Sequence, residues 1–180
     1  MRTAPPSRAV IGIAGWKKSG KTTLVVRLIE EFTRAGIRVA TLKHAHHNFR
    51  VDDAETDSAR HRRAGAHQVA IVSNQRWALM TELRGEPEPD LDAVLARLDP
   101  CDLVIVEGYK WAPIPKIEAR RRDALGHAPL SACDPHVIAI ATDEVVDGEV
   151  LPVFSLDDIA GIARFIAGVL GLSLKPSPGA

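Results

Sequence analysis

Apolar and polar positions along this chain fall into blocks whose period changes from one block to the next. Ala9-Val10-Ile11-Gly12-Ile13-Ala14 is a short continuous apolar run, the pattern of a strand buried on both faces. From Thr23 to Phe32 the period becomes helical, with Leu24, Leu28, Ile29 and Phe32 on one face and Gly36 as the stop. Residues 38–42 read as a second strand and residues 55–64 as a short helix ended by Gly65. Residues 68–72 and 77–81 flank Ser73-Asn74-Gln75-Arg76 and read as a hairpin. Pro87 and Pro89 break the chain before an amphipathic helix at 91–98. Leu103-Val104-Ile105-Val106 and residues 137–141 are dense buried strands, and Pro152-Val153-Phe154 is a short last one. Residues 157–170 form the closing helix, and residues 173–180 a loose tail rich in Pro, Gly and Ser.

Strands that alternate with helices predict an α/β fold with a mostly parallel central sheet in three layers, extended by the hairpin at about 68–82. The length of 180 residues predicts one domain over 1–172, with 173–180 as a flexible tail. In such a sheet ligands gather beyond the carboxyl ends of the strands. Four polar clusters follow predicted strand ends: residues 15–23, 43–47, 107–109 and 142–144.

The first cluster is the most specific. Gly15-Trp16-Lys17-Lys18-Ser19-Gly20-Lys21-Thr22 matches G-x-x-x-x-G-K-[ST] at every fixed position, with Thr23 next and a strand and a helix on either side. The fold class is therefore a three-layer P-loop NTPase. The glycines let successive backbone N–H groups turn toward phosphate oxygens, and the helix start adds its positive end. Lys21 reaches the β- and γ-phosphates, and the Thr22 hydroxyl is a ligand for the magnesium that accompanies a nucleotide.

The strand at 103–106 ends in Glu107-Gly108, the form of a Walker B element. Glu107 would hold magnesium or orient an attacking water, and Gly108 would let backbone approach the γ-phosphate. Lys43-His44-Ala45-His46-His47 is open to three readings: a zinc or nickel site, a loop that meets phosphate or a partner's anion, and a solvated loop. Asp57 either joins the magnesium shell or caps the helix that follows. The runs Arg60-His61-Arg62-Arg63 and Arg120-Arg121-Arg122 read as solvated faces, with anion binding as the minority reading.

Composition narrows the classes. Hydrophobic residues make up 46% and charged residues 26%, the balance of an ordinary globular protein. Basic and acidic residues cancel to a formal net charge of zero, which argues against a general nucleic-acid binder. Cys101 and Cys133 have neither metal-like spacing nor a disulfide framework. With no apolar signal core at the start and no run long enough for a bilayer, the expectation is a cytoplasmic protein with no membrane contact.

Several segments together resemble one family, the molybdopterin-guanine dinucleotide biosynthesis adapter proteins, from about Val10 to about Ala167. They are the P-loop through Thr23, Leu42 to His47, Asp57-Ser58 with Arg60-His61-Arg62, and Ala64-Gly65-Ala66. Gln75 to Glu82, Val106-Glu107-Gly108-Tyr109-Lys110 and His136-Val137-Ile138-Ala139 complete the set. The resemblance implies a GTP-binding protein with weak magnesium-dependent GTPase activity and a homodimer to which the hairpin contributes. It implies a guanylyltransferase partner in molybdenum cofactor biosynthesis, with molybdopterin-bearing enzymes as further partners. It carries phosphate binding onto Gly15 to Thr23 and the acidic magnesium role onto Glu107 and Asp57. Where GTPases of the usual pattern end a strand in Asn-Lys-x-Asp, this chain has Ala141-Thr142-Asp143. Asp143 is thus either the reader of guanine or a turn cap with Thr142. A metallochaperone that loads nickel or zinc, and a P-loop small-molecule kinase, are the alternative functions.

Overall fold

The computed structural model describes residues 8–45, 49, 51–124, 128–146 and 148–175. In chain order the elements are β1 (Ala9–Ala14), α1 (Lys21–Arg34), β2 (Val39–Lys43), α2 (Asp57–Arg63), β3 (Gln68–Val72) and β4 (Trp77–Thr81). There follow α3 (Leu91–Leu95), β5 (Leu103–Glu107), β6 (Lys116–Arg120), β7 (Val137–Thr142), β8 (Val153–Ser155) and α4 (Ile159–Leu170). The chain forms two compact units, one of Met1–His44 with Leu95–Ala180 and one of Ala45–Val94.

The first unit holds a six-stranded sheet in the order β2-β5-β1-β6-β7-β8, with every neighbouring pair parallel. Such pairing buries both faces, and Leu103 to Glu107 are buried without a break. On one face Leu24, Leu28 and Phe32 of α1 and Ile162 and Ile166 of α4 close over Ile11, Ile13, Leu103, Ile105 and Ile117. Full burial of each such side chain contributes roughly 1.5–3 kcal/mol. Leu172 and Leu174 also pack against this core, so the chain stays ordered a few residues beyond α4. On the other face a 3-10 turn, Leu130–Ala132, brings Leu130 against Ala14 and Val137.

The pattern reading did not include β6. Lys-Ile-Glu-Ala-Arg after Pro113 and Pro115 looks like a solvated loop, yet it lies between β1 and β7 with Lys116 and Glu118 fully buried. The charges are matched inside. Lys116 Nζ pairs with Asp134 at 2.7 Å, and Glu118 accepts the backbone N–H groups of Leu130 (2.8 Å) and Ser131 (3.0 Å). Arg120 bonds Glu118, Ser131 and Glu149. The strand thus ties the loop at 128–136 to the sheet by polar contacts where an ordinary strand would use apolar ones. Two further boundaries differ: α3 ends at Leu95 rather than 98, and Thr56, not Asp57, caps α2.

The second unit contains the hairpin β3–β4, antiparallel with Val72 opposite Trp77 as expected. Arg62 of α2 bridges Asp52 and Glu82, and Arg84 donates to the carbonyls of Arg62 and Ala66. Part of the basic run is therefore structural, not a solvated face.

The buried pair gives a prediction. Burial alone would push the Asp134 carboxyl up, but hydrogen bonds from Lys116 and His136 outweigh it and hold the group below its ordinary value. Stability from this pair is then full above the ordinary carboxylate range and is lost as pH falls through the lower native value. Lys116→Ala should cost about 3–5 kcal/mol at neutral pH, because it strands a buried carboxylate, whereas Lys116→Met with Asp134→Leu should recover most of that. Urea unfolding between neutral and acid pH measures both; a silent Lys116→Ala would refute the account.

Candidate functional site

Residues 15–20 leave the carboxyl end of β1 as a turn and enter α1 directly. Gly15 has φ +146°, and a Cβ there would lie 2.4 Å from the Ala119 carbonyl oxygen and 2.5 Å from Ser19 Oγ. The loop is thus pressed against the neighbouring strand β6, which only glycine allows. Gly20 is the N-cap of α1 in the left-handed region, φ +87°, and provides no side-chain cap. The contrast within the molecule is informative: Thr56 caps α2, and Asp158 caps α4 by accepting from Gly161 at 2.9 Å. The first turn of α1 also carries no acidic side chain. A helix start of this kind is built to meet an external anion.

The side chains around the loop agree. Thr22 Oγ1 donates to Glu107 Oε1 at 2.6 Å, joining the start of α1 to the end of β5. Lys43 Nζ lies 3.2 Å from the same carboxylate oxygen, placed there by the pairing of Lys43 with Glu107 across β2 and β5. Lys21 Nζ donates to the Trp16 carbonyl at 2.6 Å. Burial pushes the Lys21 ammonium below its ordinary value; Glu107 opposes this, and Lys110 and Lys43 add to it. Lys43 and Lys21 thus bear on one carboxylate, with Lys110 close enough to act on Lys21, an excess of positive charge that a polyphosphate would balance.

Trp16 has a structural part in the loop. Its indole N–H donates to the Ala128 carbonyl at 3.0 Å, and Lys110 Nζ sits 4.1 Å from the ring centroid. Lys110 belongs to the turn after Glu107-Gly108, so the cation–π contact ties that turn to the phosphate loop. His44 donates its backbone N–H to the Glu107 carbonyl at 2.9 Å, and its ring lies 4.7 Å from that of Tyr109. His46 and His47 lie outside the described residues. Among the described residues no group of three His, Cys, Asp or Glu could hold a metal.

The donor set at the loop is one that magnesium takes. A hydroxyl and a carboxylate, both hard oxygen donors, meet at the loop, and magnesium takes one or two such ligands together with substrate phosphates. The residues fit. Lys17, Lys18, Ser19 and Thr23 complete the loop and helix start as expected, with Ser19 buried and Lys18 in the left-handed region. Gly108 follows at the end of β5 against His44. Asp143 stands at the end of β7, where its Oδ1 accepts the backbone N–H of Arg122 at 3.2 Å, while Thr142 Oγ1 accepts from Glu144. The turn is closed by Thr142, so Asp143 does not act as its cap. Asp57 belongs to the second unit, exposed in the first turn of α2.

A groove of about 710 Å³ also lies in the second unit, between Asp52, Asp53 and Thr56 on one side and Val69 to Val72 on the other. It includes no residue of the phosphate loop. That is no conflict, because a P-loop holds its ligand with a shell of backbone N–H groups and needs no deep cavity. The pattern of residues put Lys43 in a cluster open to phosphate contact but did not show its pairing with Glu107, nor the place of Lys110 over Trp16. Their signal was strand register, which the order of residues along the chain does not show.

Comparison with known proteins places this architecture. Residues 10–143 match the family model described as MobB, molybdopterin guanine dinucleotide synthesis protein B. The chain belongs to the MobB family. It is 41% identical over 160 residues to the molybdopterin-guanine dinucleotide biosynthesis adapter protein of Escherichia coli (strain K12), covering 87% of this chain and 90% of the relative. Identity is likewise 41% to the adapter protein of Haemophilus influenzae, over 87% of this chain and 86% of that one. The crystal structure of molybdopterin-guanine biosynthesis protein B superposes with a TM-score of 0.69 at 29% identity, covering 90% of this chain and 99% of that one. A MobB homologue from Bacillus stearothermophilus gives a TM-score of 0.67 at 29% identity, over 91% and 98%. These MobB matches lend no support to the metallochaperone or kinase alternatives. No described helix is long and apolar enough to cross a membrane.

The tight fit of the loop yields a prediction. Gly15→Ala combines a strained dihedral with a collision against the Ala119 carbonyl, whereas Gly85→Ala shares the positive φ but meets open space. Gly85→Ala should cost about 1–2 kcal/mol and Gly15→Ala more, on the scale of left-handed backbone strain with a steric term added. Chemical denaturation of the two variants compares them directly; equal costs would show that the loop is not pressed on β6.

Proposed function

We propose that this chain is a GTP-binding adapter with weak magnesium-dependent GTPase activity. It would assist the guanylyltransferase that joins GMP to molybdopterin in molybdenum cofactor biosynthesis, working in the cytoplasm. One observation carries the reading. An uncapped helix start, three lysines and the Thr22–Glu107 pair converge at the carboxyl ends of β1 and β5, in a chain 41% identical to two adapter proteins of that pathway.

The geometry supports the following roles. The backbone from Gly15 to Thr23 wraps the phosphates, and Lys21 swings from the Trp16 carbonyl to the phosphate oxygens. Thr22 and Glu107 hold magnesium, which when bound neutralises phosphate charge. Glu107, already buried and bonded, also orients the attacking water. Asp143 reads guanine, whose N1–H and exocyclic amine both donate to a carboxylate. Asp57 has no part in this assignment.

Dimer formation is assigned to the hairpin. Ile71, Val72, Trp77 and Leu79 are exposed there, and aromatic and large apolar side chains are the usual anchors of an interface.

Calorimetric titration with GTP, ATP and XTP tests the site. Lys21→Ala should lose roughly 2–3 kcal/mol of GTP affinity while staying folded, the worth of a charge-assisted phosphate contact. Glu107→Gln should slow hydrolysis at saturating GTP more than it weakens binding. Asp143→Asn should shift preference from GTP toward XTP. Unchanged GTP affinity in Lys21→Ala would sink the phosphate site, and unchanged base preference in Asp143→Asn would sink the base assignment alone.

Light scattering and affinity capture test the assembly. The protein should be a dimer at micromolar concentration, Trp77→Ser with Leu79→Asp should shift it toward monomer, and a purified guanylyltransferase should be retained. A wild-type monomer would remove the dimer, and a guanylyltransferase that flows through would remove the adapter role.

A further inference from the structure

Three consecutive arginines, Arg120-Arg121-Arg122, stand where β6 ends, and their side chains have different fates. Arg120 turns inward to Glu118, Ser131 and Glu149. Arg122 pairs its Nε with Glu144 at 3.0 Å. Arg121 forms no hydrogen bond or ion pair with another described side chain; its guanidinium turns back to the phosphate loop. A Cβ built on Gly20 would lie 2.8 Å from Arg121 Nε and 3.3 Å from Cζ, so the guanidinium lies directly over the last glycine of the phosphate loop.

A cation there sits at the positive end of α1, next to Lys21. The arrangement is unfavourable by itself and favourable once an anion lies between the guanidinium and the first-turn N–H groups. A planar fork of donors suits two phosphate oxygens. The side of approach narrows the choice of phosphate. Thr22, Glu107 and Lys43 stand on the β5 side of β1, where magnesium would sit. Arg121 comes from β6, on the opposite side of β1, next to the strand whose end carries Asp143. That is the path from the phosphates toward the base, away from the terminal phosphate.

We propose that Arg121 binds the α- and β-phosphates of the nucleotide, as a cation supplied in cis from the end of β6. The proposal rests on the nucleotide-binding reading above and assigns this residue to the diphosphate common to GDP and GTP. Arg121 therefore supplies affinity to both nucleotides alike. It also gives Gly20 a second reason to lack a side chain, because any Cβ there would displace the guanidinium.

The test measures Kd for GDP and GTP and kcat at saturating GTP in wild type, Arg121→Ala, Arg121→Lys and Lys21→Ala. Arg121→Ala should raise both Kd values by a similar factor, about tenfold, the scale of a hydrogen bond to a charged group. Arg121→Lys should recover part of the loss. The thermal midpoint of nucleotide-free Arg121→Ala should not fall below that of wild type, since no hydrogen bond or ion pair is lost. Unchanged Kd values would overturn the proposal, as would a loss confined to GTP with a fall in kcat, which would move Arg121 to the terminal phosphate. A lowered midpoint without nucleotide would make the residue structural and overturn it too. If Lys21→Ala weakens binding and Arg121→Ala does not, only this inference falls; if both are silent, the phosphate site itself falls.

Discussion

The parallel pairing of β1 with β5 is the constraint on which the site depends. The register sets Ile13 opposite Glu107, and β2 pairs Lys43 with the same residue. All strand carboxyl ends then lie along one edge of the sheet, and the loop after β1 meets the acid after β5 without further adjustment. A one-residue slip would turn every buried side chain of β5 to the other face. Ile105 and Leu103 would then leave the core they share with α1 and α4. The packing that makes the sheet stable is the same packing that holds Thr22 within hydrogen-bond distance of Glu107.

A second constraint comes from β6. Burying Lys116, Glu118 and part of Arg120 gives little net stability compared with an apolar strand, because desolvation offsets most of the attraction. What the charges supply is position. Glu118 takes two backbone N–H groups from the loop at 128–136, and the carbonyl of Ala128 in that loop receives the indole N–H of Trp16. The same strand presses the Ala119 carbonyl against Gly15. The phosphate loop is therefore held from β6 through its first glycine and from the following loop through its tryptophan. Lys110 holds that ring as well, from the turn after Glu107.

An adapter works by offering surface that another protein can recognise. The second unit offers surface suited to such recognition. Its hairpin exposes Ile71, Val72, Trp77 and Leu79, while Arg62 bridges Asp52 and Glu82 within the same unit. Rigid support beneath an exposed apolar strip is what an interface element needs, since ordering a loose segment would consume binding energy.

The sequence by itself determined the elements whose cause is local. The phosphate loop was legible because glycine at Gly15 and Gly20, Lys21 and Thr22 are demanded by backbone geometry and phosphate chemistry at fixed spacing. The buried strands β1, β5 and β7 were legible because two-faced burial leaves continuous apolar runs, and the hairpin because two apolar runs flank the short polar segment Ser73-Asn74-Gln75-Arg76. Tertiary structure alone decided the rest. β6 was hidden because its charges find partners, Asp134 and the backbone of 130–131, that are distant in the chain. Lys43 and Lys110 gained their places from strand order and a turn, which no residue spacing encodes. The three arginines after β6 are alike as letters; their different fates come from the direction in which a strand end points each successive side chain, one into the buried network, one over Gly20 and one to Glu144. Short-range chemistry can be read from the order of residues, whereas the meeting of distant charges follows only from how the strands are laid side by side.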